Sequence, residues 1–467
     1  MVESSGASLL VASNRGPVSY AVRDDGGLDA RRGGGGLVSG LSAVKGDGGA
    51  LWVCAALGDG DREAVRRGVG EPGVRMLGIE PDVFHDAYNG VANSVLWFVH
   101  HMLYDIPVSP VFDAGFRRRW AAYEAYNRAF ADALADGAAP GAAVLVQDYH
   151  LCLVPGMLRE RRPDLRIGHF THTPWAPPEY FRLLPDDIAA ALLRGLLGAD
   201  RVGFHTRRWA EAFTACCRDV LGEEYARGER ATRVDVHALG ADAGFLRERS
   251  RRPDVAERMA ALRTQVGEAD REVVVRVDRT EPSKNIVRGL LAYRRLLERW
   301  PEWRGRVVKL AFAYPSRQDL AVYRDYTAEV RRLADEINES YGTDGWQPVV
   351  LHVEDDFARS LAAYRLADVA LVNPLRDGMN LVAKEIPVVS DDGCALVLSR
   401  EAGAYADLGE DALVVHPYDV EATAEALHAA LSMPRDERAR RTKRLAAAAT
   451  ALPPQEWFLA QLNALRG

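Results

Sequence analysis

The sequence predicts an α/β chain built from two doubly wound domains. Three observations carry this. Short runs that are apolar at every position recur along the chain and end in polar residues. Longer stretches with helical spacing separate them. The length, 467 residues, exceeds the roughly 250–300 residues at which one core stops growing. Strands apolar on both faces are covered on both faces, which marks parallel sheets between layers of helix.

In the first half, SLLVASN (8–14), AVLVQDY (143–149), RIGHFTH (166–172) and RVGFHT (201–206) read as buried strands, with helices over 117–135 and 151–162. The second half repeats the rhythm. EVVVRVD (272–278), VVKLAFA (307–313), PVVLHVE (348–354), VALVNP (369–374) and ALVLSR (395–400) read as strands, and 285–299, 318–340, 357–366 and 420–432 as helices. The boundary falls near 240–270, where HALGADAGF gives way to the charged RERSRRPDVAERMAALRTQ. The expected domains are 1–242 and 243–452. The segment 453–467, with EWFLAQLNAL at helical spacing after Pro453-Pro454, is expected to return to the first. The Ala- and Arg-rich 435–450 reads as a solvated helix.

Composition narrows the function classes. A formal net charge of −7 argues against binding nucleic acid through bulk positive charge. The N-terminus has neither a basic region nor a long apolar one, and no run of 18 apolar residues occurs, so neither a secretory leader nor a membrane span is expected. Cys54, Cys152, Cys216, Cys217 and Cys394 are odd in number and lack C-x-x-C spacing, which fits buried thiols in the cytoplasm rather than a disulfide framework or a zinc site. Small molecules are the expected partners, with homo-oligomerisation left open.

Open parallel sheets bind ligands outside the carboxyl ends of their strands. The polar residues that close the strands are therefore the candidates. Ser13-Asn14-Arg15-Gly16-Pro17 and the run Gly33–Gly36 suit close backbone approach to a phosphate, although a glycine loop without a ligand is an equal reading. Gln147-Asp148-Tyr149-His150 and His169–Trp175 follow two strands. Asp148 and His172 can bond sugar hydroxyls, or serve as a helix cap and an ordinary loop histidine. A zinc pair at His169 and His172 is disfavoured, because an i, i+3 pair in a strand points to opposite faces. In Arg279-Thr280-Glu281-Pro282-Ser283-Lys284-Asn285, two cations flank a helix N-terminus and suit a pyrophosphate. In Pro374–Glu385, a Gly378 turn leads into a helix near Asn380, with Asp377 and Glu385 as acceptors for sugar and ribose hydroxyls.

Together these segments resemble trehalose-6-phosphate synthases, a family of retaining glycosyltransferases (family 20, bacterial type) with the GT-B fold of two Rossmann-like domains facing a central cleft. The shared motifs run in order along nearly the whole chain: SNR-x-P, the glycine run, YN-x(3)-NSVLW, QDYHL, H-x-P, RTEPSKN, YPSR and LRDGMNLVAKE. The resemblance implies glucose transfer from a nucleotide-glucose to glucose 6-phosphate. It implies an acceptor-phosphate group of Arg15, Tyr88, Trp97 and Arg317. It implies sugar contacts from Asp148 and His172, and neutralisation of the donor diphosphate by Arg279 and Lys284. Gly35, Gly36, Asp377, Gly378, Met379, Asn380, Leu381, Val382 and Glu385 would complete the donor site. No enzyme nucleophile is implied, and neither a cofactor nor a metal. RTEPSKN and HTPW depart from the commoner RLDYSKG and HIPF, which keeps two alternatives in view: a cyclitol-coupling pseudo-glycosyltransferase and a silent sugar-phosphate-binding homologue. The intact RDGMN turn favours glucose transfer.

The resemblance also sets the nucleobase against Glu354, Asp355, Asp356 and Phe357. A carboxylate can accept both N1–H and N2–H of guanine, whereas uracil offers it one N–H between two carbonyls. GDP-glucose is therefore the favoured donor, with UDP-glucose left open and a helix cap as the other use of these acids.

Overall fold

The computed structural model describes residues 6–32, 49–223, 231–267 and 270–466. It divides into two compact units, Met1–Leu239 with Pro454–Gly467, and Gly240–Pro453.

Among the described residues, the first unit holds β1 (Ala7–Ala12), a hairpin of β2 (Val18–Val22) and β3 (Leu28–Arg32), β4 (Ala50–Ala55), β5 (Val74–Leu77), β6 (Ala138–Gln147), β7 (Arg166–Thr171), β8 (Arg201–Phe204) and β9 (Arg233–Val236). Apart from the hairpin, these strands form one sheet in the order β5-β4-β1-β6-β7-β8-β9. Every pairing in it is parallel. The core strands are apolar on both faces, as Leu9–Ala12 and Ala142–Val146 show by being buried throughout.

The second unit holds β10 (Glu272–Arg279), β11 (Val307–Tyr314), β12 (Val349–His352), β13 (Val369–Val372), β14 (Ala395–Ser399) and β15 (Leu413–Val415). They form a parallel sheet in the order β12-β11-β10-β13-β14-β15. In both sheets the chain winds outward from the centre, returns and winds the other way, which is the Rossmann order. The switch points lie between β1 and β6 and between β10 and β13.

The helices follow the spacing and capping chemistry of the sequence. Asp113 accepts from Phe116 N at 2.7 Å and starts the helix Ala114–Gly137. Asp356 accepts from Arg359 N at 3.0 Å and starts Phe357–Leu366. The C-terminal helix Pro454–Arg466 packs on β6, β7 and β8 of the first unit, and Trp457 Nε1 donates to His237 O at 3.0 Å. Among the described residues, no helix is long and apolar enough to cross a membrane.

One sequence expectation needs correction, and one motif takes a form the sequence did not predict. The helix Arg435–Ala449 is not simply solvated. Arg438 is buried, and its Nη1 reaches Asp368 Oδ1 at 2.7 Å and Glu272 Oε2 at 3.1 Å, so this face closes the bottom of the sheet. The segment carrying YN-x(3)-NSVL is a π-helix, Asp86–Leu96, continuing into Trp97–His101. Such wide turns cluster at functional sites.

Candidate active site

In the first unit, the carboxyl ends of β1 and β6 lie side by side at the switch point. After β1, Ser13 Oγ donates to Arg15 O at 2.7 Å and accepts from Trp52 Nε1 at 2.7 Å. Asn14 Oδ1 accepts from Tyr126 OH at 2.6 Å. Gly16 is required here, since a Cβ would lie 2.4 Å from Cys54 Sγ. These ties fix the backbone that presents Arg15, whose own side chain is exposed. Tyr126 lies against Phe84, which stacks on Tyr88, which stacks on His150 at 5.6 Å. Trp97 stacks on His101 at 3.8 Å and leans on Tyr149. The π-helix is thus clasped to the QDYH turn, and Tyr149 OH donates to Asn93 Oδ1 at 2.8 Å.

Asp148 sits just past β6 with φ 72°, a left-handed conformation that costs a residue with a Cβ. It occupies a cap position before Tyr149–Leu151, but its side chain caps nothing there. Instead Oδ1 accepts from His172 N at 3.2 Å, and its own N–H donates to Phe170 O at 2.7 Å. His172 Nε2 faces Gln147 Oε1 at 3.0 Å, and His205 Nε2 faces His172 Nδ1 at 3.2 Å. Burial pushes the His172 imidazole below its usual range, with Asp148 opposing. A neutral ring donating to Gln147 then accepts from His205. The sequence reading missed His205 as a partner of His172. Its only signal was its place at the end of an apolar strand, RVGFHT.

In the second unit, the carboxyl ends of β10 and β13 meet in the same way. Arg279 closes β10, and Lys284 follows in a short 3-10 turn, Pro282–Lys284. Lys284 Nζ bonds Asp377 Oδ2 at 2.5 Å, and Asn380 Nδ2 donates to the same oxygen at 3.1 Å. Burial would lower the Lys284 ammonium, but Asp377, Asp278 and Glu281 outweigh it and hold it above its usual range. The turn after β13 is fixed from several sides. Leu375 N donates to Ser283 O, Asp377 N to Glu401 O, and Ala404 N to Met379 O. Gly403 allows this approach, because a Cβ there would meet Gly378 O at 2.0 Å. Asn380 has φ 77° and caps Leu381–Val389 by accepting from Ala383 N at 3.0 Å. Met379 is buried, while Leu381 and Val382 on the first turn are half-buried. Glu385, one turn further, accepts from Tyr364 OH at 3.4 Å, and burial pushes its carboxyl up to about 7.

Arg317 follows β11 with φ 46°. Its Nη1 donates to Tyr323 OH at 2.8 Å and lies 3.4 Å from Glu281 Oε1. Among the described non-glycine residues, positive φ occurs at Met102, Asp148, Asn285, Arg317 and Asn380, so all but Met102 belong to these two strand-end clusters.

Two donor-site expectations change. The N-terminus of the helix Ile286–Arg299 is not open to an anion, because Tyr326 OH accepts from Ile286 N at 2.6 Å and Val287 N at 3.3 Å. Arg279 and Lys284 flank this closed helix start. Of the nucleobase acids, Asp356 is committed as a helix cap and pairs with Arg258 at 2.8 Å, so its carboxylate is not available to a base. Glu354 and Asp355 are exposed beside the half-exposed Phe357, which stacks on Phe245. Gly35 and Gly36 lie outside the described residues.

The sequence matches the family model for Glycosyltransferase family 20 over residues 7–466. The chain belongs to that family. It is 36% identical over 454 residues to the bifunctional trehalose-6-phosphate synthase/phosphatase of Thermoproteus tenax, covering 93% of this chain and 60% of that one. It is 32% identical over 470 residues to an alpha,alpha-trehalose-phosphate synthase of Dictyostelium discoideum named as UDP-forming, covering 97% and 62%. The chain thus spans less than two thirds of the length of these two relatives. It is 36% identical over 479 residues to the trehalose-6-phosphate synthase of Mycobacterium avium, covering 98% and 95%. Among solved structures, an E. coli protein bound with UDP-2-fluoro glucose superposes with a TM-score of 0.84 at 30% identity, covering 98% of each chain. The UDP-forming alpha,alpha-trehalose-phosphate synthase of Burkholderia vietnamiensis superposes with 0.83 at 29% identity, covering 98% and 100%. The two Rossmann-ordered sheets are those of the GT-B fold, as the sequence predicted.

Proposed function

We propose that this chain transfers glucose, with retention, from a nucleotide-glucose to glucose 6-phosphate, the reaction of a trehalose-6-phosphate synthase. The observation that carries the reading is the cluster at the second switch point. Lys284, Asp377 and Asn380 share one bonded network, Arg279 ends the neighbouring strand, and Glu385 stands one turn along the capped helix. Two cations suit a diphosphate leaving group whose charge grows in the transition state. In this reading Asp377 takes sugar hydroxyls and Glu385 takes a ribose diol. In the first unit, the Asp148 carboxylate offers acceptors for hydroxyls, and His172 stands beside it in the sugar-contact pair of this reading. Arg15, Tyr88, Trp97 and Arg317 are the acceptor-phosphate residues in this reading. The bond from the acceptor hydroxyl forms on the same face from which the diphosphate departs, and the leaving diphosphate takes the acceptor proton, so this reading uses neither a side-chain nucleophile nor a side-chain base. Arg279 and Lys284 supply the positive charge, so turnover is expected to persist in chelator.

The preferred donor in this reading is GDP-glucose, although several relatives are named as UDP-forming. The support is chemical. Glu354 and Asp355 remain exposed once Asp356 is spent on the helix cap, and either can accept from the two adjacent donors of guanine. A bidentate charged contact is worth a preference of about tenfold or more. The test is kcat/KM for GDP-glucose and UDP-glucose on one preparation, followed by Glu354→Gln and Asp355→Asn. Equal values or a preference for UDP-glucose would overturn the guanine assignment and leave the transfer reading intact.

A further inference from the structure

Glu281 lies in the turn between Arg279 and Lys284 and is fully buried. It is the acidic residue of the RTEPSKN motif. Its Oε1 accepts from Ser316 Oγ at 2.7 Å, and it lies 3.3 Å from Arg279 Nη1 and 3.4 Å from Arg317 Nη1. Its Oε2 is buried and has no hydrogen-bond partner among the described residues. One carboxylate oxygen therefore gathers both guanidinium groups, one from the last residue of β10 and one from the loop after β11. The backbone reinforces the junction, since Thr280 N donates to Tyr314 O at 2.6 Å and Lys284 N to Glu281 O at 2.9 Å. Burial would raise the Glu281 carboxyl, but Arg279, Arg317, Lys284 and the Ser316 hydroxyl hold it at about 2. Its neighbours thus keep it ionised at neutral pH.

A buried carboxylate is retained only where it is paired and hydrogen-bonded. This one has paired itself with cations that the reading above gives to two different substrates. We infer that Glu281 is a positioning residue that orients Arg279 toward the donor diphosphate and Arg317 toward the acceptor phosphate from a single oxygen. The inference rests on that assignment of the two arginines. The two are not held equally. The Arg317 side chain is 8% exposed and depends on Glu281 and Tyr323 for its place, whereas Arg279 is 54% exposed and can solvate itself. Loss of the anion should therefore disturb the acceptor end more than the donor end.

The test is steady-state kinetics of Glu281→Gln and Glu281→Asp in the full chain, varying each substrate in turn, with wild-type, Lys284→Ala and Arg317→Ala alongside. For Glu281→Gln, the acceptor KM should rise by about 10-fold or more, the scale of a charged hydrogen bond. The donor KM should rise by a smaller factor, about 2- to 10-fold. Glu281→Asp, which keeps the charge, should recover most of both. Lys284→Ala should touch donor use alone, and Arg317→Ala acceptor use alone. If Glu281→Gln does not fold, Ser316→Ala takes its place, with both KM values rising about 2-fold or more. Unchanged KM values with a lowered kcat would indicate a merely structural role and overturn the inference. So would a change confined to one substrate. Failure of the wild-type protein to couple nucleotide-glucose and glucose 6-phosphate is a different outcome, and it would strike the proposed function itself.

Discussion

Lys284 Nζ and Asp377 Oδ2 are 2.5 Å apart, joining the loops that follow the two central strands of the second sheet. The pair is largely withdrawn from solvent, with each side chain 15% exposed. Removing one partner takes from the other its nearest opposite charge in a buried site, so the single changes should be severe and their combination less than additive. Lys284→Ala and Asp377→Ala are each expected to lower kcat/KM for the donor by about 100-fold or more. The double variant should fall well short of the product of the two. A double-mutant cycle in kcat/KM checks this, and strictly multiplicative losses would show that the two act independently.

Arg317 is expected to serve the acceptor alone. Its replacement by Ala should raise the glucose 6-phosphate KM by about 10- to 150-fold, the range of one charged hydrogen bond. Nucleoside diphosphate affinity, read by calorimetry, should stay within about 3-fold, below the effect of losing one such bond. Arg317 holds a strained φ of 46°, which Ala keeps, so Arg317→Gly is the control that relieves strain while still removing the guanidinium. Acceptor use that survives either change would remove Arg317 from the phosphate site.

Glu385 gives a pH dependence with a definite sign. Burial raises its carboxyl from an ordinary 4.5 to about 7. The folded chain therefore binds a proton there that the unfolded chain releases, and this group's contribution to stability falls as pH rises from about 4.5 through 7. A ribose diol donates best to the carboxylate, so nucleoside diphosphate affinity should rise with pH and level off above about 7. Calorimetry across this range tests it. Glu385→Gln should weaken binding and flatten the curve, and an unchanged slope would assign the titration elsewhere.

Lys309 is the least expected residue of the second core. It lies in the middle of β11, fully buried, and its Nζ has no hydrogen-bond partner among the described residues. Burial, with the nearby Arg276 adding to it and Asp278 opposing, depresses the ammonium well below its usual range. The folded state thus sheds a proton that the unfolded chain keeps, so stability rises with pH toward the unfolded value. Lys309→Met fills the same space without the amine and should raise stability at neutral pH by about 1–3 kcal/mol. Thermal unfolding at pH 7 and 9 checks this. The gain should shrink at the higher pH, and a lower Tm for the variant at pH 7 would mean the amine has a stabilising partner.

The parts of this fold legible in the sequence are those where local pattern and burial agree. Val273–Val275 and Val369–Val372 are apolar on both faces and sit in the middle of a sheet, so their sequence announces parallel strands. The edge strand β9, RVDV, is short and largely unburied, and nothing local marks it. The π-helix Asp86–Leu96 carries an apolar pattern that helical spacing does not distinguish from an ordinary turn. Among the candidate residues, Arg15, Asp148, Arg279 and Asp377 are named by the Rossmann rule from strand ends alone. It does not find the left-handed backbone of Asp148 and Arg317, the His172–His205 contact or the shared Glu281 oxygen, because each depends on residues far apart in the chain. Asp356 takes the other use open to the acidic run, the cap of the helix that follows, and which of three adjacent acids does so depends on the backbone turn rather than on composition.

The central claim is the transfer itself, and product analysis tests it most directly. Purified protein is incubated with glucose 6-phosphate and either GDP-glucose or UDP-glucose, and the products are resolved by NMR. The account predicts a phosphorylated non-reducing disaccharide with both anomeric centres in the α configuration, formed in step with nucleoside diphosphate and faster from GDP-glucose. Nucleoside diphosphate released without disaccharide, a β linkage, or no reaction with either donor would contradict it.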